Sequence, residues 1–397
     1  MVSSIRADYN AAFTPEKYRF FLDELNQVHP GALRFRVAET PVFVGREFGE
    51  KIFQACSYII DRIVDPSFME LTEKAIPPAE RVPGERFFPQ MLCLDFAVCS
   101  NERGGLEPQL IEMQGFPTMY GFQACFPDLM RKHFKIPDNY SHYFSGLNTE
   151  TYIRLFKEVV VGSHAPEEVI LLEIKPSEQK TWIDFLLTKD YLGIEPVCIT
   201  ELEEENRKLY YRKNGRRIHI KRIYNRIIFD ELLPQLEVLG PMVDLTQPLD
   251  VEWLPHPNWF YRISKYTLPL IDHPYVPKTY YLDQLKSLPD DLHNYVLKPL
   301  FSFAGQGVLI DVQKSDLDAI ADPENYILQK KVNYAPVIPT PDIPAKTEIR
   351  MMYLWKEGEP RPIPVTNLAR LSKGKMIGVR YNADKDWVGG TVAFFEQ

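Results

Sequence analysis

Residues 295–310, YVLKPLFSFAGQGVLI, constrain the fold more than any other segment. An apolar run delivers Lys298 and Pro299. A small-residue loop follows, with Ser302, Gly305 and Gly307, and a second apolar run closes the unit. The pattern predicts strand, loop, strand. A lysine at a strand end supplies a point charge for phosphate oxygens, and glycines let backbone N–H groups approach such a ligand closely. The segment is not a Walker A loop, because the chain contains no GxxxxGK[ST]. It is not a dinucleotide fingerprint either, because Gly305-x-Gly307 leads into a strand rather than a helix. Taken alone, it also fits a plain hairpin carrying a surface lysine.

The rest of the chain sets the frame around that segment. Its 397 residues correspond to about two to three domains at roughly 150 residues each. An apolar fraction of 45% is enough for sizeable cores. The net charge of −8, from 46 basic and 54 acidic residues, leaves no global footprint for nucleic acid. No apolar run approaches the roughly 20 residues that a membrane helix needs, so no membrane partner is expected. MVSSIRADYN has no apolar leader core. Cys56, Cys93, Cys99, Cys125 and Cys198 are odd in number and form no CxxC pair. They read as reduced thiols of a cytoplasmic protein.

Periodicity predicts a mainly helical region over 1–84. Thr14-Pro15-Glu16 opens a helix that runs to His29, and a second helix covers 46–63. Strands follow at 87–100 and 108–114. A small open α/β unit is expected over 151–250, with helices at 149–161 and 181–191 and strands at 169–174 and 196–200. A hairpin at 209–213 and 217–222 turns across Asn214-Gly215. Between Arg207 and Arg226 nine residues are basic, but hairpin alternation spreads them over two faces and four acids stand at 201–205, so a solvated hairpin is the reading. Arg226, with Asn225, follows a strand that leads into a helix. Ligands gather at such strand ends, so both are candidates for contacting a substrate carboxylate. His256, between two prolines, reads as structural. After 251 the strands are mainly antiparallel, and the fold class is α+β and α/β mixed.

The order of motifs carries a resemblance. After Lys298-Pro299 and the glycine loop come Gln329-Lys330-Lys331-Val332, Glu348-Ile349-Arg350, Leu368-Ala369-Arg370, Gly378-Val379-Arg380, Asn382 and Gly389-Gly390. This order resembles the ATP-grasp superfamily. The family's metal-binding strands normally follow the glycine pair, whereas here seven residues remain after Gly390. A matching pattern stands near the front instead, with Asp95 in LCLDFA and Glu112 and Gln114 in LIEMQGFP. The chain therefore resembles the circularly permuted members, eukaryotic glutathione synthetase and glutathionylspermidine synthase. The resemblance covers about 85–130 and 250–397 well and 165–245 more loosely.

It implies a circularly permuted ATP-grasp fold with a small α/β domain. Residues 85–150 would supply its metal strands and 251–397 its nucleotide region and lid. It implies ATP and Mg2+, held by Lys265, Lys298, Ser302, Gly305, Gly307, Gln329, Lys330 and Val332 for the nucleotide and by Asp95, Glu112 and Gln114 for the metal. Arg370 and Arg380 would be catalytic. The implied reaction joins a small-molecule or peptide carboxylate to an amine through an acyl phosphate. Two departures stand out: Gln114 replaces an expected Asn, and 300–304 lacks the acid that the permuted relatives carry. They keep two alternatives open, an impaired nucleotide-binding regulatory or scaffold protein and a small-molecule kinase. A homodimer also stays open.

Overall fold

A five-stranded antiparallel sheet joins the front of the chain to its back. Its order is Gly389–Thr391, Ile363–Ser372, Lys346–Leu354, Met91–Ser100 and Leu106–Gln114. The computed structural model describes residues 1–116, 118–301, 307–374, 377, 382 and 384–397. Met91–Ser100 is buried at every position but its last, as an apolar strand with neighbours on both sides must be. Its register sets Asp95 opposite Glu112 on one side and opposite Arg350 on the other. Apolar cores cover both faces of this sheet.

A second sheet, also antiparallel, runs Thr279–Tyr281, Tyr326–Lys330, Tyr295–Pro299 and Leu309–Ile310. It holds the two expected strands around Lys298, and residues 302–306 between them lie outside the described residues. The third sheet is parallel, in the order Glu252–Leu254, Arg222–Asn225, Val169–Glu173 and Glu195–Cys198. Helices Thr149–Val161 and Trp182–Leu192 belong to the same region, the second capped by Gly193 at positive φ.

Several helix limits fall where the sequence places them. Pro15–Val28 starts behind Thr14, whose hydroxyl accepts from the Lys17 N–H, and Arg46–Ile63 matches its expected span. One strand differs. The hairpin arm expected over 217–222 divides into Arg216–Ile220, which pairs with Lys208–Lys213, and Arg222–Asn225, which joins the parallel sheet. Arg222 begins the second strand and is tied to its neighbours there. Its guanidinium is buried, bonds Glu252 at 2.8 Å through Nε, and donates to the carbonyls of Val159 and Val160.

The sequence reading missed a three-stranded sheet in which Val42–Val44 pairs parallel with Ala393–Glu396, with Tyr140–Ser141 on the other side. Gly389 belongs to this closure. Its φ is +122°, and a Cβ there would lie 2.4 Å from the carbonyl oxygen of Arg36. The glycine thus lets the incoming front segment pass. Among the described residues no helix is long and apolar enough to cross a membrane.

Candidate functional site

Lys298 ends its strand beside two acceptors. Its ammonium donates to Gln329 Oε1 at 2.6 Å and to the Ile111 carbonyl at 3.4 Å. Gln329 sits on the paired strand, opposite Val296, and its amide nitrogen donates to Thr279 Oγ1 at 3.1 Å. The Gln329 side chain therefore links Lys298 to Thr279. Lys265 begins a short turn, Lys265–Leu270, whose start is capped by the Ser264 hydroxyl. Burial lowers both ammonium pKa values, that of Lys298 to about 8. Glu112 opposes the shift at both, and Lys265 adds to it at Lys298. Two desolvated cations near one carboxylate make a strong anion site, because low dielectric magnifies every charge that replaces water.

Glu112 and Gln114 project from the end of Leu106–Gln114, two residues apart and so on one face. Together with Lys265 and Arg226 they line a cavity of 280 Å³. Four of the expected site residues thus share one space. Behind Gln114 the chain turns at Gly115, where a Cβ would come within 2.2 Å of the Trp259 carbonyl oxygen. Only glycine allows that approach, which sets Phe116 against the cavity.

Asp95 stands opposite Glu112 on the neighbouring strand, as expected, but its carboxylate is engaged by arginines. Its carboxylate accepts from Arg350 Nε and Nη2 and from Arg370 Nη2, each at 2.7 Å. Burial raises its pKa, but the two guanidinium groups outweigh burial and hold it below the usual carboxylate range. With both oxygens engaged and the side chain enclosed, Asp95 anchors two arginines rather than facing open space. Arg370 also reaches Glu348 at 3.0 Å, and Glu348 accepts the Tyr334 hydroxyl. Burial holds the Glu348 carboxyl above its ordinary pKa, with Arg370 opposing.

The remaining candidates scatter. Asn225 closes its own turn, accepting the Ile227 N–H at 3.1 Å, and is buried away from the cavity. Lys330 and Val332 line a different cavity, of 390 Å³, with Cys99 and Glu107. Gly307 has φ +72°, and a Cβ there would meet Pro299 at 2.7 Å. Ser302, Gly305 and Arg380 lie outside the described residues. Asn382 caps a turn by accepting the Lys373 N–H at 2.9 Å. His256 is buried near Pro83, 3.2 Å from its carbonyl, as a structural residue would be.

Arg226 lines the cavity as a strand-end arginine, but its acidic neighbours were missed. Glu173 closes the apolar strand VILLE, and Gln179, Glu231 and Arg226 stand around it. Burial pushes the Glu173 carboxyl up to about 7, against the pull of Arg226. The Arg226 guanidinium lies 4.5 Å from the Phe116 ring centroid. An acid at the end of an otherwise apolar parallel strand was the signal available.

Magnesium needs only one or two carboxylates when phosphates supply its other ligands. Among the described residues no group of three or more His, Cys, Asp and Glu side chains stands ready to hold a metal. Glu112 with the Gln114 amide oxygen fits the smaller requirement, on the face that Lys265 shares.

No family model matches the chain, and no curated protein sequence does. A solved structure does resemble it, that of a glutathione synthetase-like effector from Globodera pallida in its apo form. The two share 12% identity and a TM-score of 0.58, over 98% of each chain. At this identity the likeness shows a shared fold, and it extends over nearly the whole chain.

Proposed function

We propose that the protein is an ATP-dependent ligase that joins a carboxylate to an amine. The observation that carries this reading is the single cavity lined by Glu112, Gln114 and Lys265 together with Glu173 and Arg226. Lys265 and Lys298 would hold phosphate oxygens of ATP. Glu112 and Gln114 would hold Mg2+, which supplies charge neutralisation to the phosphates when bound. Arg226 would hold a substrate carboxylate, and Glu173, once ionised, would hold an ammonium. Phosphorylation of the reacting carboxylate gives an acyl phosphate. The amine displaces phosphate from it, leaving an amide, ADP and inorganic phosphate. Arg370, fixed by Asp95 and Glu348, would offset the charge on the transferred phosphoryl group.

The same reading makes the fold a circularly permuted ATP-grasp. Its support is the direct pairing of Met91–Ser100 with Lys346–Leu354, which sets the Glu112 strand beside the Arg370 strand's sheet. The neighbour's description as an effector favours a second reading, a nucleotide-binding protein without turnover. One assay separates the two. Purified protein with ATP, Mg2+ and a panel of acids and amines should release ADP only when both partners are present, and Glu112→Gln should abolish release. ADP formation with one partner alone would point to a kinase. Nucleotide binding without turnover on any pair would favour the second reading.

A further inference from the structure

The cavity is lined by charged side chains, but a share of its wall is apolar. Phe116, Ile228, Phe260, Ile263, Leu300 and Phe301 form that share. They come from separate parts of the chain: the turn after the Glu112 strand, the strand end beside Arg226, the helix Trp259–Arg262 and the strand end beyond Lys298. Phe116 and Phe260 meet edge-to-face at 6.2 Å, and Tyr261 and Phe301 meet likewise at 5.1 Å, so the rings brace one another. Phe260 and Phe301 both keep partial exposure. A site for small hydrophilic partners alone has no use for such a wall, since apolar surface left against water is unfavourable.

We propose that one substrate of this site carries a bulky apolar or aromatic side chain that packs against Phe116, Phe260 and Phe301, with its charged head at Arg226 and Glu173. This deepens the ligase reading and rests on its assignment of Arg226 and Glu173 to substrate. The volume of 280 Å³ is near the low end of ordinary ligand pockets, enough for one amino-acid-sized group and too small for a long peptide. In an apolar pocket a single methylene is worth roughly 10–200-fold in discrimination. A benzyl or isobutyl group should therefore be preferred over a hydrogen by about ten-fold or more.

The test is direct binding by calorimetry, without turnover, using the full chain with L-phenylalanine, L-leucine and glycine as probes. Phenylalanine and leucine are expected to bind at least about ten-fold more tightly than glycine. Phe260→Ala and Phe301→Ala should each shrink that ratio, and Phe260→Leu should keep most of it. Circular dichroism checks the fold of each variant, and if Phe260→Ala does not fold, the partly exposed Phe301→Ala carries the comparison. Equal affinity for the three amino acids, no binding of any, or an unchanged ratio in a folded variant would overturn the proposal. The ligase reading fails separately, through missing ADP release, and that failure would leave the binding ratio standing.

Discussion

On the antiparallel sheet, Asp95 is 1% exposed and accepts three charge-assisted hydrogen bonds from Arg350 and Arg370. On the parallel sheet, Glu173 is 5% exposed and accepts the N–H of its neighbour Ile174 at 2.7 Å. The burial is nearly equal, yet the Asp95 carboxyl is held below its ordinary pKa and the Glu173 carboxyl is pushed up to about 7. Sheet register explains the difference. Arg350 lies directly across the ladder from Asp95, so an ion pair is built into the strand pairing. Glu173 stands at a strand end, where no ladder partner follows and a ligand can enter. The fold itself supplies the countercharge for Asp95, whereas Glu173 lines the cavity.

The largest expected effect breaks the Asp95 pairing. Arg350→Met removes the bidentate partner of Asp95 and should lower stability by about 3–5 kcal/mol in urea denaturation. Glu173→Gln should do the opposite or nothing. The Glu173 pKa is raised on folding, so its ionisation weakens the fold as pH rises from about 4.5 toward 7, and an amide removes that cost. Comparable losses from the two substitutions would erase the distinction between the two carboxylates.

Next in size is nucleotide binding. Lys298→Ala should weaken ATP affinity by about 10–100-fold, the worth of one charge-assisted hydrogen bond, while Asn225→Ala should leave it unchanged. Titration calorimetry reads both. The smaller effects are pH profiles. With the Lys298 ammonium at about 8, ATP affinity should fall as pH rises above 8, by up to about ten-fold per unit. Binding of an ammonium at Glu173 should fall as pH drops below about 7, where its carboxyl becomes neutral. The two limbs give opposite slopes, and a common slope would show that one group governs both.

The strand positions of Lys298, Glu112 and Gln114 were legible in the sequence because their signals are local. Lys298 precedes a proline and a glycine loop, and Glu112 and Gln114 alternate on one strand. The arginine partners of Asp95 were not legible, because they depend on the register between two strands some 255 residues apart. Arg226 was legible from its strand end, but Glu173 and Glu231 were hidden for a similar reason: they come from another strand and a short helix that only tertiary pairing brings beside it. The sheet of Val42–Val44 with Ala393–Glu396 escaped because three- and four-residue strands carry too little periodicity to stand out.

Transfer of a carboxylate oxygen tests the ligase account most directly. An acid substrate is labelled with a heavy oxygen isotope in its carboxylate and supplied with ATP, Mg2+ and an amine, and the released phosphate is analysed by mass spectrometry. A reaction through an acyl phosphate moves one labelled oxygen into inorganic phosphate for every amide formed. Amide formation with unlabelled phosphate, or ADP release with no label transfer, would contradict the account.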